Sequence, residues 1–519
     1  MTEAASDEAT CMKLTTLPHR YTASGALVAD LPGDFPAEDL VNRLRPLPGL
    51  LYLDSSSAAD GRQAAPGARG ADEVARRLDR YSFAAADPVF SFALPAEAVT
   101  PEQVLRLLEE AGQLLEDCRC PTIPALPPFQ GGLAGLLSFD AGLATLGVSP
   151  ADSRRSGTPG LHFGVYDVVF AFDHLQNRAW AVSQGIPARG PTARRRRAAE
   201  RLEHLLAVLA KSSGTGAGPA RVLAAGPSAT AVPRVPLAGH GGVFTSHSPA
   251  DYEAMVQAGI DYVRAGDIFQ VNLAQQFSVP AACDPLALYR RARRLNPAPF
   301  AGFYAAGDTT IASMSPERFL RVKGDRAWMH PIKGTRRMLA SPEADLWAGA
   351  DLGASAKDRA ENVMIVDLVR NDLARVCRPE SVRVEALCRL ERFRYVQHLV
   401  SLVSGRLRPG AGPLAAVLAA FPGGSVTGAP KQRACEIIGE LERAARGPYC
   451  GSLGYVGFDG TSDFNLLIRS FVVRPDEILF SAGGGITVGS DPAAEYAESL
   501  HKAEGMLRVI GALREEAVA

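Results

Sequence analysis

From Ser248 to the C-terminus the chain alternates strand-like and helical runs, without the regular strand–helix–strand rhythm of a doubly wound parallel sheet. Ser248-Pro249-Ala250-Asp251 has the order of a helix start: a hydroxyl cap, Pro at the first helical position and an acid at the third. Tyr252, Met255, Val256, Gly259, Tyr262 and Val263 continue at helical spacing. Gly266 stops the run, and Asp267 to Leu273 returns as a strand. Irregular alternation of this kind predicts an α+β fold, with large, mainly antiparallel β-sheets packed as a sandwich with flanking helices.

The chain has 519 residues, 47% of them hydrophobic, enough apolar material for two domains or one large composite unit. Residues 212–247 are rich in Gly, Ala, Pro and Ser and form the best boundary. The expected division is an N-terminal domain over 1–245, carrying the 212–247 connector, and a catalytic domain over 246–519. In the N-terminal part, Leu50 to Leu53 reads as a strand turning at Asp54-Ser55-Ser56, and Gln103 to Leu115 as a helix. Gly131 to Asp140 reads as a glycine-opened strand, and His162 to Val182 as a hairpin turning at Leu175-Gln176-Asn177. A helix from Thr192 to Lys211 carries Arg194-Arg195-Arg196-Arg197, read as a solvated helix face.

Fifty-five basic and 56 acidic residues give a net charge of −1, which argues against nucleic acid or an anionic membrane surface as the partner. The acidic start, Met1 to Glu8, lacks the order of a signal peptide, and no window approaches a charge-free transmembrane length, so a cytoplasmic location is expected. Of eight cysteines only Cys118 and Cys120 are close. This pattern predicts reduced, packed thiols rather than a zinc site.

Pro331-Ile332-Lys333-Gly334-Thr335 follows the strand-like Ala327-Trp328-Met329 and precedes Arg336-Arg337. Gly after Lys permits a tight turn and close approach of a ligand to the main chain. A lysine there is either a surface charge or an amine held against a substrate. Two helices carry acids at matching spacing: Asp358 and Glu361 on one, Glu495, Glu498 and Lys502 on the other. Facing each other, they would make an oxygen-lined site suited to Mg²⁺, which takes one or two carboxylates and leaves positions for substrate oxygens. Three glycine-rich stretches read as turns aimed at an anion: Gly423 to Lys431 (including Thr427), Gly451 to Gly454, and Gly483-Gly484-Gly485. The spacing of a phosphate loop is absent. Arg469, after Asn465-Leu466-Leu467-Ile468, can clamp a carboxylate bidentately. The inventory suits a small substrate bearing two carboxylates.

The sequence resembles the chorismate-utilising enzymes. The resemblance rests on Phe269-Gln270-Val271-Asn272-Leu273, Ser315-Pro316-Glu317-Arg318-Phe319, Pro331 to Thr335, Asp358 to Asp372, Phe421 to Lys431 and Tyr449 to Gly457. It covers essentially all of 248–510, and is weaker in the N-terminal half, through Leu51 to Ser55 and Gly131 to Asp140. It implies a fold like that of anthranilate synthase component I. It implies that Glu361 and Glu498 hold Mg²⁺ against the ring carboxylate of chorismate, with Asp358 and Glu495 as neighbours. Tyr449, Arg469 and Gly485 would bind the enolpyruvyl carboxylate, Gly334 and Thr335 would touch substrate, and His398 would line the ring pocket. Thr427, Gly483, Gly484 and Lys502 complete the expected substrate-binding set.

Two positions are expected to select the reaction. Water-adding relatives carry a lysine base where Gln270 stands, and anthranilate synthases typically carry alanine where Lys333 stands. Within the family the resemblance is strongest to aminodeoxychorismate synthase component I, which serves para-aminobenzoate and folate synthesis. It implies that Lys333 attacks ring C2 while Glu317 protonates the departing C4 hydroxyl, after which ammonia adds at C4 and expels the lysine. The amine must be neutral, and lowering its pKa from about 10.4 to about 7.5 requires about 4 kcal/mol. Burial with Arg336 or Arg337 is expected to supply this. No stretch resembles a glutaminase nucleophile turn, so a separate glutamine amidotransferase subunit is expected to deliver ammonia. Leu53-Asp54-Ser55 and Asn296 to Phe300 fall near the walls of the family's tryptophan pocket, making tryptophan a further candidate ligand. The rival readings are anthranilate synthase component I and a non-catalytic glutaminase-binding scaffold.

Overall fold

The computed structural model describes residues 13–32, 35–55, 80–95, 99–148, 157–211, 232–280, 283–337, 341–392 and 396–518. Most of the expected connector, residues 212–231, lies outside the described residues, as do the acidic start and Cys11. The described strands form two antiparallel sheets, one fourteen-stranded and one ten-stranded. Each sheet combines strands from both sides of residue 246. In the larger, Leu51–Asp54 pairs with Phe300–Ala306; in the smaller, Gly132–Leu137 pairs with Ser452–Gly457. The two halves of the sequence complete each other's sheets.

The sheets pack face to face. Leu51, Phe83, Val169, Tyr304 and Ile311 of the larger meet Ala134, Leu136, Leu453 and Tyr455 of the smaller in one buried cluster. Helices cover the outer faces. Leu202 and Leu206 of Pro191–Lys211, Leu288 and Tyr289 of Pro285–Leu295, and Leu507 and Ile510 of Pro492–Val518 join Phe277, Phe303 and Phe480 over the larger sheet. Leu108 of Pro101–Asp117, Ile365 and Val369 of Ala356–Ala374, and Val417 of Pro413–Ala420 cover the smaller with Leu133, Leu320 and Val403. Among the described residues no helix is long and apolar enough to cross a membrane. The described cysteines are free thiols, all buried except Cys283.

Local signals act as their chemistry dictates. The Ser248 hydroxyl accepts from the Asp251 N–H at 3.1 Å, the Asp251 carboxylate accepts from the Ser248 N–H at 3.2 Å, and Gly266 ends the helix in the left-handed conformation at φ +85°. Other expectations need correction. His162 to Val182 is not one hairpin: Leu161–Tyr166 belongs to the smaller sheet, and only Val168–Asp173 and Arg178–Ser183 pair as a hairpin in the larger. Between them the chain changes sheet at the buried Asp167, whose carboxylate accepts from Arg201 at 3.1 Å. Gly131 to Asp140 is a strand only to Leu137, because the Ser138 hydroxyl accepts from the Ala141 N–H at 3.2 Å and starts a helix at Phe139. The arginine run is solvated at Arg195 and Arg196 only. Arg194 donates to the Gln184 carbonyl and to Cys120 Sγ, and Arg197 to the Ile186 carbonyl.

Gly483-Gly484-Gly485 is not a turn. It lies inside the strand Glu477–Ile486, paired with Ala274, Leu273 and Asn272 of the strand Gln270–Pro280. A Cβ on Gly483 would overlap the Leu273 carbonyl oxygen, and one on Gly485 the Gln270 amide. These glycines serve close approach of two strands, not chain reversal. Gly483→Ala should therefore force the two strands apart. The expected loss is about 1–3 kcal/mol, read as a lower denaturant midpoint in equilibrium unfolding.

Candidate active site

Lys333 stands on the strand Ile332–Arg337, which pairs with Val396–Arg406. The register slips between Lys333, opposite Leu399, and Thr335, opposite His398, so Gly334 is a bulge with φ +70°. The expected tight turn is thus a bulged strand. The bulge is pressed from behind: a Cβ on Gly334 would meet Leu352 Cδ1 at 2.7 Å and Asp358 Cγ at 3.1 Å. The side chains of Thr335 and Arg337 lie outside the described residues.

Lys333 Nζ donates to the Ser425 carbonyl at 3.2 Å. Burial pushes its pKa down. Glu361 opposes that shift, Lys502 reinforces it, Glu317 and Glu498 oppose it, and the balance is downward. Among the described side chains the cation assisting the shift is Lys502, not Arg336. Arg336 is drawn away to Asp351 at 3.1 Å and Asp358 at 3.7 Å.

Glu317 is buried at the entry to the strand Arg318–Lys323. Its N–H donates to Ser315 Oγ at 3.2 Å, and its carbonyl accepts from the Leu466 N–H at 3.1 Å. Its carboxyl accepts from Ser425 Oγ at 2.8 Å and from the Ile332 N–H. Burial raises its pKa to about 7, against the opposing pull of Ser425, Lys333 and the Ile332 amide. Ser425 therefore touches both groups: its hydroxyl holds the acid and its carbonyl holds the amine.

The loop carrying Ser425 is fastened by buried cations. Arg446 donates to the Val426 and Asn272 carbonyls, each at 2.8 Å, and pairs through two nitrogens with Glu442. Lys431 Nζ donates to Asp372 Oδ2 and to the Ala420 carbonyl, each at 2.8 Å. Thr427 turns its hydroxyl inward onto the Gly423 carbonyl at 3.0 Å, while its own carbonyl accepts from the Asn272 N–H at 2.7 Å. Sequence reasoning missed Ser425, Arg446, Glu442 and the Lys431–Asp372 pair as functional supports. The available signal was a lone charge, Lys431, closing the otherwise apolar, glycine-rich run Phe421 to Lys431, and Asp372 at the end of the charged run Asp358 to Asp372.

The two acid-bearing helices do converge. Glu361, from Ala356–Ala374, and Glu498, from Pro492–Val518, both act electrostatically on Lys333 and on each other. Burial raises the Glu361 pKa, with Lys333 and Lys357 opposing and Asp358 and Glu498 adding to it. Burial also pushes Glu498 up, but Lys502, Lys357 and Lys333 outweigh it and the net shift is downward. Lys502 Nζ pairs with Glu498 Oε1 at 2.7 Å and donates to the Gly483 carbonyl at 3.0 Å. Glu495 is buried and accepts from Ser490 Oγ at 2.8 Å. The missing Cβ of Gly484 leaves room for it, since that atom would lie 2.8 Å from Glu495 Oε2. Asp358 backs the Gly334 bulge, as described above. Among the described residues no three His, Cys, Asp or Glu side chains stand in a metal-ligating group.

Gln270 is buried with its side chain against Gly485, and its Oε1 has no hydrogen-bond partner among the described residues. The His398 ring lies with Nδ1 3.4 Å from the Gly334 carbonyl, and burial together with Arg469 lowers its pKa to about 4, so it is neutral. Arg469 sits in the left-handed region at φ +51° and ties its carbonyl to the Met314 N–H at 3.0 Å. The Tyr449 ring lies 5.7 Å from the Arg446 guanidinium. In the N-terminal half, Asp54 is buried and accepts from Tyr52, Ser82, Tyr289 and Arg293, while Asn296 donates to the Gly505 carbonyl at 3.0 Å.

The family described as chorismate binding enzyme matches residues 71–508. Anthranilate synthase component 1 of Streptomyces coelicolor is 39% identical over 391 residues, 75% of this chain and 74% of that one. Aminodeoxychorismate synthase component 1 of Klebsiella aerogenes is 37% identical over 380 residues, 73% and 77% of the two chains. The crystal structure of anthranilate synthase component I from Streptococcus pneumoniae superposes with a TM-score of 0.66 at 29% identity, covering 86% of this chain and 95% of that one. The chain belongs to the chorismate binding enzyme family.

Proposed function

We propose that this chorismate enzyme aminates its substrate at C4, as an aminodeoxychorismate synthase, through a covalent adduct on Lys333. The observation that carries the reading is the half-buried Lys333, its amine's pKa lowered by desolvation, beside a buried Glu317 carboxyl whose pKa is raised to about 7. The neutral amine attacks ring C2, both conjugated ring double bonds shift (C1–C2 to C1–C6 and C5–C6 to C4–C5), and the C4–O bond breaks as Glu317 gives its proton to the leaving water. Ammonia then forms the C4–N bond, both double bonds shift back, and the Lys333–C2 bond breaks. Glu317 recovers its proton from the incoming ammonium, and the enolpyruvyl ether is untouched. Gln270 carries no basic nitrogen, which disfavours water as the competing nucleophile. Arg469, Tyr449 and Gly485 are assigned to the enolpyruvyl carboxylate, with His398, Gly334, Thr335, Thr427, Gly483, Gly484 and Lys502 around the ring. Relatives named "component 1" fit a second subunit, and a glutamine amidotransferase is the proposed ammonia source. Tryptophan remains the proposed ligand of the N-terminal half.

Mg²⁺ is proposed at Glu361 and Glu498, with Asp358 and Glu495 as neighbours. A half-buried and an exposed carboxylate from two converging helices, with Glu498 raising the cost of ionising Glu361, suit a hard divalent cation that keeps several waters. When bound, the ion would place positive charge against the ring carboxylate. Lys502, paired with Glu498, must yield or share that oxygen for this to happen.

The similarity to anthranilate synthase components favours a second reading, amination at C2 with loss of pyruvate. Incubation with chorismate, Mg²⁺ and ammonium salt separates the two. A product that becomes para-aminobenzoate only after addition of a lyase supports C4 amination; fluorescent anthranilate with pyruvate supports the rival. With ammonia omitted, intact-protein mass spectrometry should show wild type gaining the mass of chorismate less water. Lys333→Ala should show no such gain and should lose C4 amination, and full activity in that variant would dismiss the lysine as nucleophile.

Rate requires Glu317 protonated and Lys333 neutral, so kcat against pH should be bell-shaped, with apparent pKa values that belong to the pair. The Ser425 hydroxyl stabilises the Glu317 carboxylate and so lowers its pKa. Ser425→Ala should move the profile to higher pH, and an unmoved profile would argue against Glu317 as the acid. Glu317→Gln should cost about 10²–10⁴ in kcat. For the cation, isothermal titration of the full-length enzyme with Mg²⁺ should show affinity falling at least about tenfold in Glu498→Gln.

A further inference from the structure

The helix Pro492–Val518 presents Glu495, Glu498 and Lys502 to the candidate active site, and its opposite face walls a separate cleft of about 590 Å³. Leu500 and Leu507 form apolar wall on the helix side, and Leu237 closes the other. The polar lining is His240, His501, Glu504 and Arg508, with His501 Nδ1 3.5 Å from Glu504 Oε2. Arg508 is exposed and makes no ion pair or hydrogen bond with the described residues, whereas Arg514, two turns further on, donates to the Gly242 carbonyl at 2.9 Å. Gly511 is a second, independent feature. A glycine inside a helix costs about 1 kcal/mol relative to alanine, yet a Cβ here would meet nothing within 4 Å. Close packing does not explain it. Its effect is to leave the end of the cleft open.

We propose that this cleft binds a small carboxylate with an apolar body, the body lying along Leu237, Leu500 and Leu507 and the anion paired with Arg508. His240 lies at the same rim, while the Glu504 carboxylate faces His501, leaving Arg508 as the cation for the anion. The volume matches that of a small-molecule site, and apolar walls with a few convergent polar groups are its usual composition. The guanidinium supplies the planar fork that carboxylates prefer. Because cleft and active site are two faces of one helix, a ligand here acts beside Glu498 without entering the chorismate pocket.

The test uses the full-length enzyme with 3-phenylpropionate as the probe, followed by ligand-observed saturation-transfer NMR in saturating chorismate and Mg²⁺, without ammonia. Binding should saturate and survive the chorismate. Arg508→Gln should weaken the carboxylate about tenfold while leaving 3-phenylpropanol unaffected. Gly511→Phe, which grows into open space, should abolish binding of both compounds while circular dichroism and the chorismate KM stay as in wild type. Non-saturable binding overturns the proposal, as does displacement by chorismate. So does undiminished binding in Gly511→Phe, which would put the probe elsewhere, or equal loss of both probes in Arg508→Gln.

Discussion

A half-buried amine and a buried carboxyl group within reach of the same serine set the terms for the rest of this structure. Either group alone would be costly to desolvate in its charged form. Together, Lys333 and Glu317 can approach neutrality at the same pH because burial acts on them in opposite directions, raising the acid and lowering the amine. Their mutual attraction works against this, since each favours the other's charged form. Burial wins at both sites. Lys502 adds a second cation that disfavours the ammonium, while Glu361 and Glu498 keep the amine from losing its proton too readily.

Holding that pair demands a rigid loop at Ser425, and the protein makes one from buried ion pairs rather than from regular structure. Arg446 with Glu442 and Lys431 with Asp372 tie the loop to the strand Gln270–Pro280 and to the helix Ala356–Ala374. Such pairs are poor sources of net stability, yet removing one partner leaves the other charged and buried, at about 3–5 kcal/mol. They are better understood as positional locks. The same logic applies to the Gly334 bulge, where Leu352 and Asp358 allow no side chain and the strand must slip by one residue beside Lys333.

Membership of the chorismate binding enzymes rests on the match over residues 71–508 and on relatives 37–39% identical, while the sandwich itself is shared more widely. The menaquinone-specific isochorismate synthase MenF of Escherichia coli has the same fold at 18% identity, with a TM-score of 0.66. In the proposed function, choice of nucleophile is assigned to a few side chains, among them those at 270 and 333. Fold similarity is therefore silent about it, and the chemistry of those positions has to be argued from their surroundings.

Much of the architecture was legible in the sequence because its signals are local. Ser248, Asp251 and Gly266 act on backbone groups within a turn of themselves, so the helix they bound could be read from spacing alone, as could the acid spacing on two helices. Motifs also announced Lys333, Glu317, Glu361 and Glu498 as one chemical set. What the sequence could not show was partnership across distance. Gly483 to Gly485 look like a turn until the strand Gln270–Pro280 lies against them. Arg336 looks like the natural neighbour of Lys333 until Asp351 and Asp358 draw it off and Lys502, far along the chain, takes the place. Sequence by itself determined which groups are present and which local turns they form. Only tertiary structure decided which charges face one another, because the energy of a charge depends on its neighbours in space and on the water they exclude.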